Sequence, residues 1–340
     1  MKYLLSLLLT AGQVTGALQK VTQLFNVDFG TNDQGGCGYV GETAMNEYLE
    51  DSYELAKTGV KLLDDYSDTN NMEAERLVFG YFKGTRGTDR SRLKSSFEAV
   101  RDFMEGNREI TGGKPYLFCD STWLTRFTMQ DEWLNDEGQP VLKTDDQGIP
   151  YYIHNNDVEH MVDKQTESTR ALRKVAVPYW SSTHKQYLFD QQYENPAIGY
   201  CSEEGNAGVT QAIILPKVIT VCPVAFEQKR RLRSVQVTPI TRASIQGSSR
   251  PKNAQVTEDT LPSSATLFHE MFHLVLGNAD STPPPGERYL WGQMRSLGVE
   301  SLSLNPETYV SAAVAYDYTL NAGTRDGHAV EFYAGFAMQG

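Results

Sequence analysis

Residues 263–277 read SSATLFHEMFHLVLG, and this stretch decides more about the fold than any other. Large apolar side chains stand on nearly all sides of a helical projection of it, which is typical of a buried helix. The pattern predicts a helix that begins before Ala265 and ends at Gly277. One of the two serines that open the stretch is expected to cap its first turn.

Three polar residues interrupt this apolar helix. His269 and His273 are four residues apart, so their side chains project from one face, one turn above the other, with Glu270 beside them. Two imidazoles at this spacing can bind one Zn²⁺, and the carboxylate can take a proton from water. Core histidines that fall at this spacing by chance are the alternative. Burying them without a partner is costly, so the pattern predicts one zinc ion per chain, with Glu270 as general base.

A catalytic zinc site needs a third protein ligand, and three residues further along the chain are candidates. Asp280 follows His273 by seven residues, but its side chain could equally end the helix. Glu287 comes after the turn sequence TPPPG, which redirects the chain and can bring it back toward the histidines. We favour Glu287 over Asp280, and His328 is the weakest candidate.

The N-terminus and the cysteines together indicate export. Residues 1–17 contain one Lys, a short apolar run and then small residues, which is the order of a cleavable signal peptide. No stretch is long and apolar enough to predict a membrane span. An even number of cysteines in an exported chain predicts two disulfides, for which three connectivities exist. The cysteines are Cys37, Cys119, Cys201 and Cys222.

The charge balance bears on the partners. The formal net charge is -12, which disfavours nucleic acid and anionic membranes as partners. The expected partner is a protein or peptide substrate, and the chain is expected to be a secreted monomer.

Periodicity elsewhere outlines one mixed domain. It predicts helices at 42–64, 73–84 and 91–105, and strands at 116–119, 212–215 and 218–222. Residues 121–198 lack a clear pattern and are interpreted as an insertion. The basic run KRRLR at 229–233 is interpreted as an exposed helix face, with a processing site as the alternative.

Residues 265–318 resemble the deuterolysin and peptidyl-Lys metallopeptidase group, the aspzincins, which are secreted zinc endopeptidases. The resemblance covers the H-E-x-x-H helix and a later segment, NPETYVSAA at 305–313, that is similar to the family pattern N-A-x-x-Y-x-x-x-A. Asn305 as cap and Pro306 in the first turn also favour a helix start there. The resemblance implies an α+β, zincin-like fold for residues 18–340, with helices packed on a small sheet. It also implies the disulfide pairs Cys37–Cys119 and Cys201–Cys222.

The likeness carries over to the catalytic residues with one departure. The family's third ligand is the Asp of G-T-x-D-x-x-Y-G, whereas residues 285–292 here read PGERYLWG, so Glu287 is the nearest acid in register. The resemblance then implies that Tyr289 stabilises the oxyanion. The expected function is a zinc metalloendopeptidase. The alternative is a non-catalytic secreted protein that binds zinc or a partner on the same fold.

Overall fold

The computed structural model describes residues 16–68, 70–84, 90–193, 195, 199–244, 251–321 and 329–340. The predicted signal peptide lies outside these residues apart from its last two positions, and the candidate ligand His328 also lies outside them. Among the helices of the described ranges, none has the length and apolar character needed to cross a bilayer.

Within those ranges the chain contains ten α-helices and ten β-strands and is an α+β protein. The helices are α1 (Val21–Leu24), α2 (Glu42–Asp65), α3 (Met72–Phe82), α4 (Ser91–Met104), α5 (Glu159–Leu172), α6 (Ala265–Leu276), α7 (Asn278–Ser281), α8 (Trp291–Met294), α9 (Val299–Leu302) and α10 (Pro306–Asn321). The strands are β1 (Tyr116–Phe118), β2 (Leu124–Arg126), β3 (Leu142–Thr144), β4 (Pro150–Tyr152), β5 (Ala176–Ser181), β6 (Gln186–Gln191), β7 (Gly208–Gln211), β8 (Val218–Val221), β9 (Val330–Glu331) and β10 (Met338–Gln339).

The helical core forms around α6. Helix α2 packs on α4 and α10, and α6 lies against all three. Phe97, Phe272 and Tyr309 meet at its centre, with ring centroids 4.8–5.8 Å apart. Truncating one such buried aromatic side chain costs about 3–5 kcal/mol, so this contact makes a large contribution to holding α6 in place. The predicted helices at 42–64, 73–84 and 91–105 are confirmed as α2, α3 and α4.

A three-stranded sheet in the order β1-β8-β7 lies beside this core. Strand β8 runs parallel to β1 and antiparallel to β7, and β7 contacts α6. The predicted strand at 212–215 is wrong, because pairing ends at Gln211 and the side chain of Ile213 is 77% exposed. Pro216 has no N–H to donate to a ladder, so the apolar run before it forms a bend.

The described part of residues 121–198 forms structure of its own. It contains the antiparallel sheet β2-β5-β6, the hairpin β3-β4 and helix α5. The sequence pattern does not predict α5, because Met161 is its one buried residue and the helix therefore has no apolar stripe. A separate apolar cluster, with Trp123 and Tyr179 among its members, packs this region against the β1-β8-β7 sheet.

The two disulfides have the pairing that the family resemblance implies. Cys37 joins Cys119 directly after β1, and Cys201 joins Cys222 directly after β8. Both bonds therefore attach loops to the ends of the central sheet.

The basic run at 229–233 is not a helix, so that interpretation is wrong. Arg231 makes two hydrogen bonds to Asp51 of α2, at 2.9 and 3.0 Å. Arg233 makes two to Asp317 of α10, at 2.7 and 2.6 Å. The segment is held in an irregular conformation because its guanidinium groups join the two helices. The sequence alone shows the positive charges but not the two aspartates that bind them.

Breaking the second of these pairs should measurably destabilise the fold. Asp317 is fully buried, whereas Arg233 is 40% exposed and can regain water. We therefore expect Asp317→Asn to lower the free energy of unfolding by about 1–3 kcal/mol, less than for a fully buried pair. Glu54→Gln, which breaks an exposed pair with Lys57, should cost about 0.5 kcal/mol or less. Denaturant titration of both variants checks this, and equal losses would contradict it.

Candidate metal centre

Helix α6 places the two histidines as the sequence predicts. It spans Ala265–Leu276, and Gly277 ends it with a φ of 79° that a residue with a side chain rarely adopts. The predicted serine cap is wrong: Ser264 makes no cap hydrogen bond, and the hydroxyl of Ser263 accepts from the backbone N–H of Arg230. Packing of the helix, which is buried along nearly its whole length, replaces the missing cap.

Three side chains converge at one point beside this helix. The Nε2 atoms of His269 and His273 are 3.3 Å apart. Glu287 reaches both of them, with Oε2 lying 3.2 Å from His269 Nε2 and Oε1 lying 3.2 Å from His273 Nε2. Together these residues are a group of donors that could hold a metal ion.

The other candidate for third ligand lies elsewhere. Asp280 sits on α7, where its carboxylate pairs with Arg92 at 3.2 Å and is 69% exposed. The Asp280 side chain points to solvent, whereas the next residue of α7, Ser281, contacts His273. The structure therefore brings Glu287, and not Asp280, to the histidines.

The spacing of the donor atoms fits a small tetrahedral ion. Zinc bound about 2.0–2.1 Å from each ligand requires ligand atoms about 3.3 Å apart. The two Nε2 atoms have this separation, and a different carboxylate oxygen of Glu287 lies 3.2 Å from each of them. Two imidazoles and one carboxylate form a ligand set of known catalytic zinc sites. The same donors also suit other divalent first-row metals, so the geometry identifies a site and not the element.

The second nitrogen of each imidazole has its own partner. His273 Nδ1 lies 2.9 Å from Ser281 Oγ, whose proton goes to the carbonyl of Gly277 at 2.8 Å. His269 Nδ1 lies 3.2 Å from Glu307 Oε2. Both partners accept a hydrogen bond, so Nδ1 carries the proton in each ring and Nε2 is left to bind a metal.

Sequence reasoning missed Ser281 and Glu307. Ser281 lies eight residues after His273, and Glu307 is in the first turn of α10, where an acid is unremarkable in sequence. The one available signal is chemical: a ligating histidine usually donates its second N–H to an oxygen, so such oxygens had to exist somewhere in the chain.

Glu270 is held beside the donor group without belonging to it. Its Oε2 accepts a hydrogen bond from Thr210 of β7 at 2.8 Å. Burial raises the pKa of Glu270, and the neighbouring imidazoles oppose that shift. A carboxylate with a raised pKa binds a proton more readily, which is the property required of a general base that later acts as an acid.

Tyr289 packs against two of the three donor residues. Its hydroxyl donates to Glu287 Oε2 at 2.8 Å, and its ring stacks on that of His269 with centroids 5.8 Å apart. Burial, and then the negative charge of Glu287, raise the pKa of Tyr289. The phenol therefore keeps its proton at neutral pH and remains a hydrogen-bond donor.

The donor residues shift one another's pKa values strongly. Burial acts to lower the pKa of His269, but hydrogen bonds to Glu287 and Glu307 outweigh it and raise the pKa to about 10. For Glu287 burial acts in the opposite direction, and the hydrogen bonds to the two imidazoles lower its pKa well below the usual range.

The loop that carries Glu287 is fixed at both ends. Gly286 has a φ of 83°, and its N–H donates to the carbonyl of Pro283 at 2.8 Å, so the proline-rich segment makes a tight turn. The side chain of Asn305 then makes two hydrogen bonds to the backbone of Arg288, the residue after Glu287. It accepts from the N–H of Arg288 at 3.0 Å and donates to its carbonyl at 2.9 Å. Helix α10 begins at Pro306 directly after Asn305, as expected. The Asn305 side chain links the loop to this helix, because its Nδ2 also donates to Thr308 Oγ1 in the first turn at 3.0 Å.

A cleft of about 320 Å³ opens against the site. His269, Glu270 and Tyr289 lie on its wall, together with residues 205–208 that lead into β7. Strand β7 pairs with β8 along one edge, and no described strand pairs with its other edge. An extended chain therefore has both a cavity and a strand edge available next to Glu270.

Gly208 of β7 packs against α6 with no room for a side chain beside Glu270. A Cβ at this position would lie 2.8 Å from Thr266 Cγ2 and 3.1 Å from Glu270 Oε1. We expect Gly208→Ala to displace Glu270 and to lower the free energy of unfolding by about 1–3 kcal/mol, which denaturant titration measures. Gly298→Ala, where a Cβ meets nothing within 4 Å, is the matched control. A free energy of unfolding in Gly208→Ala equal to that of the parent would contradict this expectation.

In comparisons with protein-family models, with curated proteins and with solved structures, nothing matches this chain. Fold and site define it as an α+β protein with a candidate metal centre of two histidines and one glutamate. The likeness to the deuterolysin group remains a prediction from the residues that carry it.

Proposed function

We propose that this protein is a secreted zinc metalloendopeptidase with a zincin-like fold, a divergent relative of the deuterolysin group. One observation carries the proposal: Glu270 lies on the same helix as two metal-competent histidines and lines the same cleft as His269, yet it is not one of the donors. A site that only stored a metal would not require this fourth side chain.

His269, His273 and Glu287 would hold the ion. Zinc supplies Lewis acidity toward a carbonyl oxygen and toward water. Glu270, oriented by Thr210, takes a proton from the attacking water and returns it to the leaving amine. Tyr289 donates its hydroxyl hydrogen to the oxyanion that develops on the scissile carbonyl, after releasing Glu287.

The cleft supports a peptide as substrate. A chain in extended conformation can hydrogen-bond to the open edge of β7 as an added strand, which places one of its peptide bonds next to Glu270. This mode of binding uses the peptide backbone and requires no contacts to a nucleobase or a sugar. The net charge of -12 supports the same choice, because it disfavours nucleic acid and anionic membranes. We propose that the protein acts as a monomer.

Secretion is supported by chemistry and by sequence. The two disulfides require an oxidising compartment to form and persist, and the first 17 residues have the order of a signal peptide.

Metal removal tests the proposal directly. The secreted chain should contain one zinc and cleave members of a mixed peptide library. A chelator should abolish cleavage, and added zinc should restore it. One bound zinc with no cleavage of any peptide would favour the alternative, a non-catalytic zinc-binding or partner-binding protein. Absence of zinc binding would remove the basis of both.

A further inference from the structure

We propose that Glu307 is a positioning residue for the metal centre: it holds the His269 ring from the side opposite the metal and makes that imidazole the stronger of the two histidine ligands. The inference rests on the proposed metal site, but it does not require that the protein be a peptidase.

The geometry separates Glu307 from the ligands. The two nitrogens of one imidazole point in directions far apart, and in His269 they face different carboxylates. Nε2 is 3.2 Å from Glu287, and Nδ1 is 3.2 Å from Glu307. Glu307 therefore cannot bind the ion that Nε2 binds, and it is not part of the donor group.

The two histidines differ in what holds them. His273 donates to a neutral hydroxyl, that of Ser281, whereas His269 donates to a carboxylate. A negative acceptor forms a stronger hydrogen bond and increases the electron density that the ring can offer at Nε2. Glu307 is 7% exposed, so little water competes for this interaction.

The carboxylate is held on a rigid support. Glu307 is in the first turn of α10, which is buried from Pro306 to Tyr318. Two residues earlier, Asn305 binds both polar backbone atoms of Arg288, next to Glu287. The start of α10 thus orients His269 through Glu307, and it orients the loop that carries Glu287 through the hydrogen bonds of Asn305 to Arg288.

Zinc affinity tests this inference without reference to cleavage. We would measure it by competition with a chromophoric chelator for the full chain and for Glu307→Gln, Glu307→Ala and Ser281→Ala. We expect Glu307→Gln to weaken zinc binding by about 10-fold and Glu307→Ala by about 10–100-fold. Ser281→Ala should cost less than Glu307→Ala. Glu300→Gln, an exposed acid on α9, should bind as the parent does.

The glutamine variant separates positioning from packing, because it keeps the volume of the side chain and removes only its charge. The spectrum of Co²⁺ bound in place of zinc should also change in both Glu307 variants, since it reports ligand strength. Parent-like affinity and spectrum in both variants would overturn the inference even if the parent cleaves peptides. A parent that binds zinc but does not cleave, with weakened Glu307 variants, would overturn the proposed function and support the inference. A parent that binds no zinc would overturn both.

Discussion

Glu270→Gln is expected to reduce peptide cleavage by about 10²–10⁴-fold while the chain still binds one zinc. Glutamine has nearly the same shape, and Thr210 can still donate to its amide oxygen, so the helix and the ligands should be undisturbed. What the variant loses is the ability to accept a proton from water. Paired measurement of zinc content and of kcat on a cleaved peptide checks both halves of the expectation.

The zinc measurement makes the result interpretable. Loss of cleavage together with loss of zinc would indicate a disturbed site and would not support a catalytic role. Glu167→Gln, an exposed acid on α5, is the matched control for an acid-to-amide change and should cleave at the parent rate. Full activity in Glu270→Gln would mean that another group moves the proton.

The second large effect concerns the third ligand. Glu287→Ala removes a carboxylate that contacts both imidazoles. We expect zinc affinity to fall by more than the roughly 10–100-fold that follows loss of an outer partner, and cleavage to be lost at ordinary zinc concentrations. Asp280→Ala removes the other candidate from sequence and should leave both unchanged, because its partner is Arg92.

Chelator competition on the two variants decides between the candidates. A strong loss of affinity in Asp280→Ala, with little change in Glu287→Ala, would reverse the assignment. Glu287→Asp adds a graded test, since a side chain shorter by one methylene cannot reach both Nε2 atoms from the same backbone position. Its affinity should fall between those of the parent and of Glu287→Ala.

The local sequence pattern was sufficient to predict the helix at the centre of the site and the positions of its two histidines. The apolar period of residues 265–276 and the stop at Gly277 predict α6 correctly, and a spacing of four places His269 and His273 on one face of any helix. The helices at 42–64, 73–84 and 91–105 were predictable for the same reason: an amphipathic helix repeats its environment every three or four residues. The disulfide pairs followed from the family resemblance.

Two sequence patterns without a local repeat gave wrong predictions. The apolar run at 212–215 was expected to pair as a strand and forms a bend before Pro216. The basic run at 229–233 was expected on a helix face and instead joins α2 to α10. The first failure depends on Pro216, which directly follows the run, and the second on Asp51 and Asp317, which lie far away in the sequence.

Tertiary contacts decided the rest of the site. Glu287 is fourteen residues from His273 and reaches it because a glycine turn and Asn305 direct its loop back. Thr210 and Glu307 approach from β7 and α10, 60 residues before Glu270 and 38 residues after His269. Helical spacing is a property of neighbouring residues, so it can be read along the chain. A hydrogen bond between distant side chains depends on how whole elements pack, and it exists only after the fold has formed.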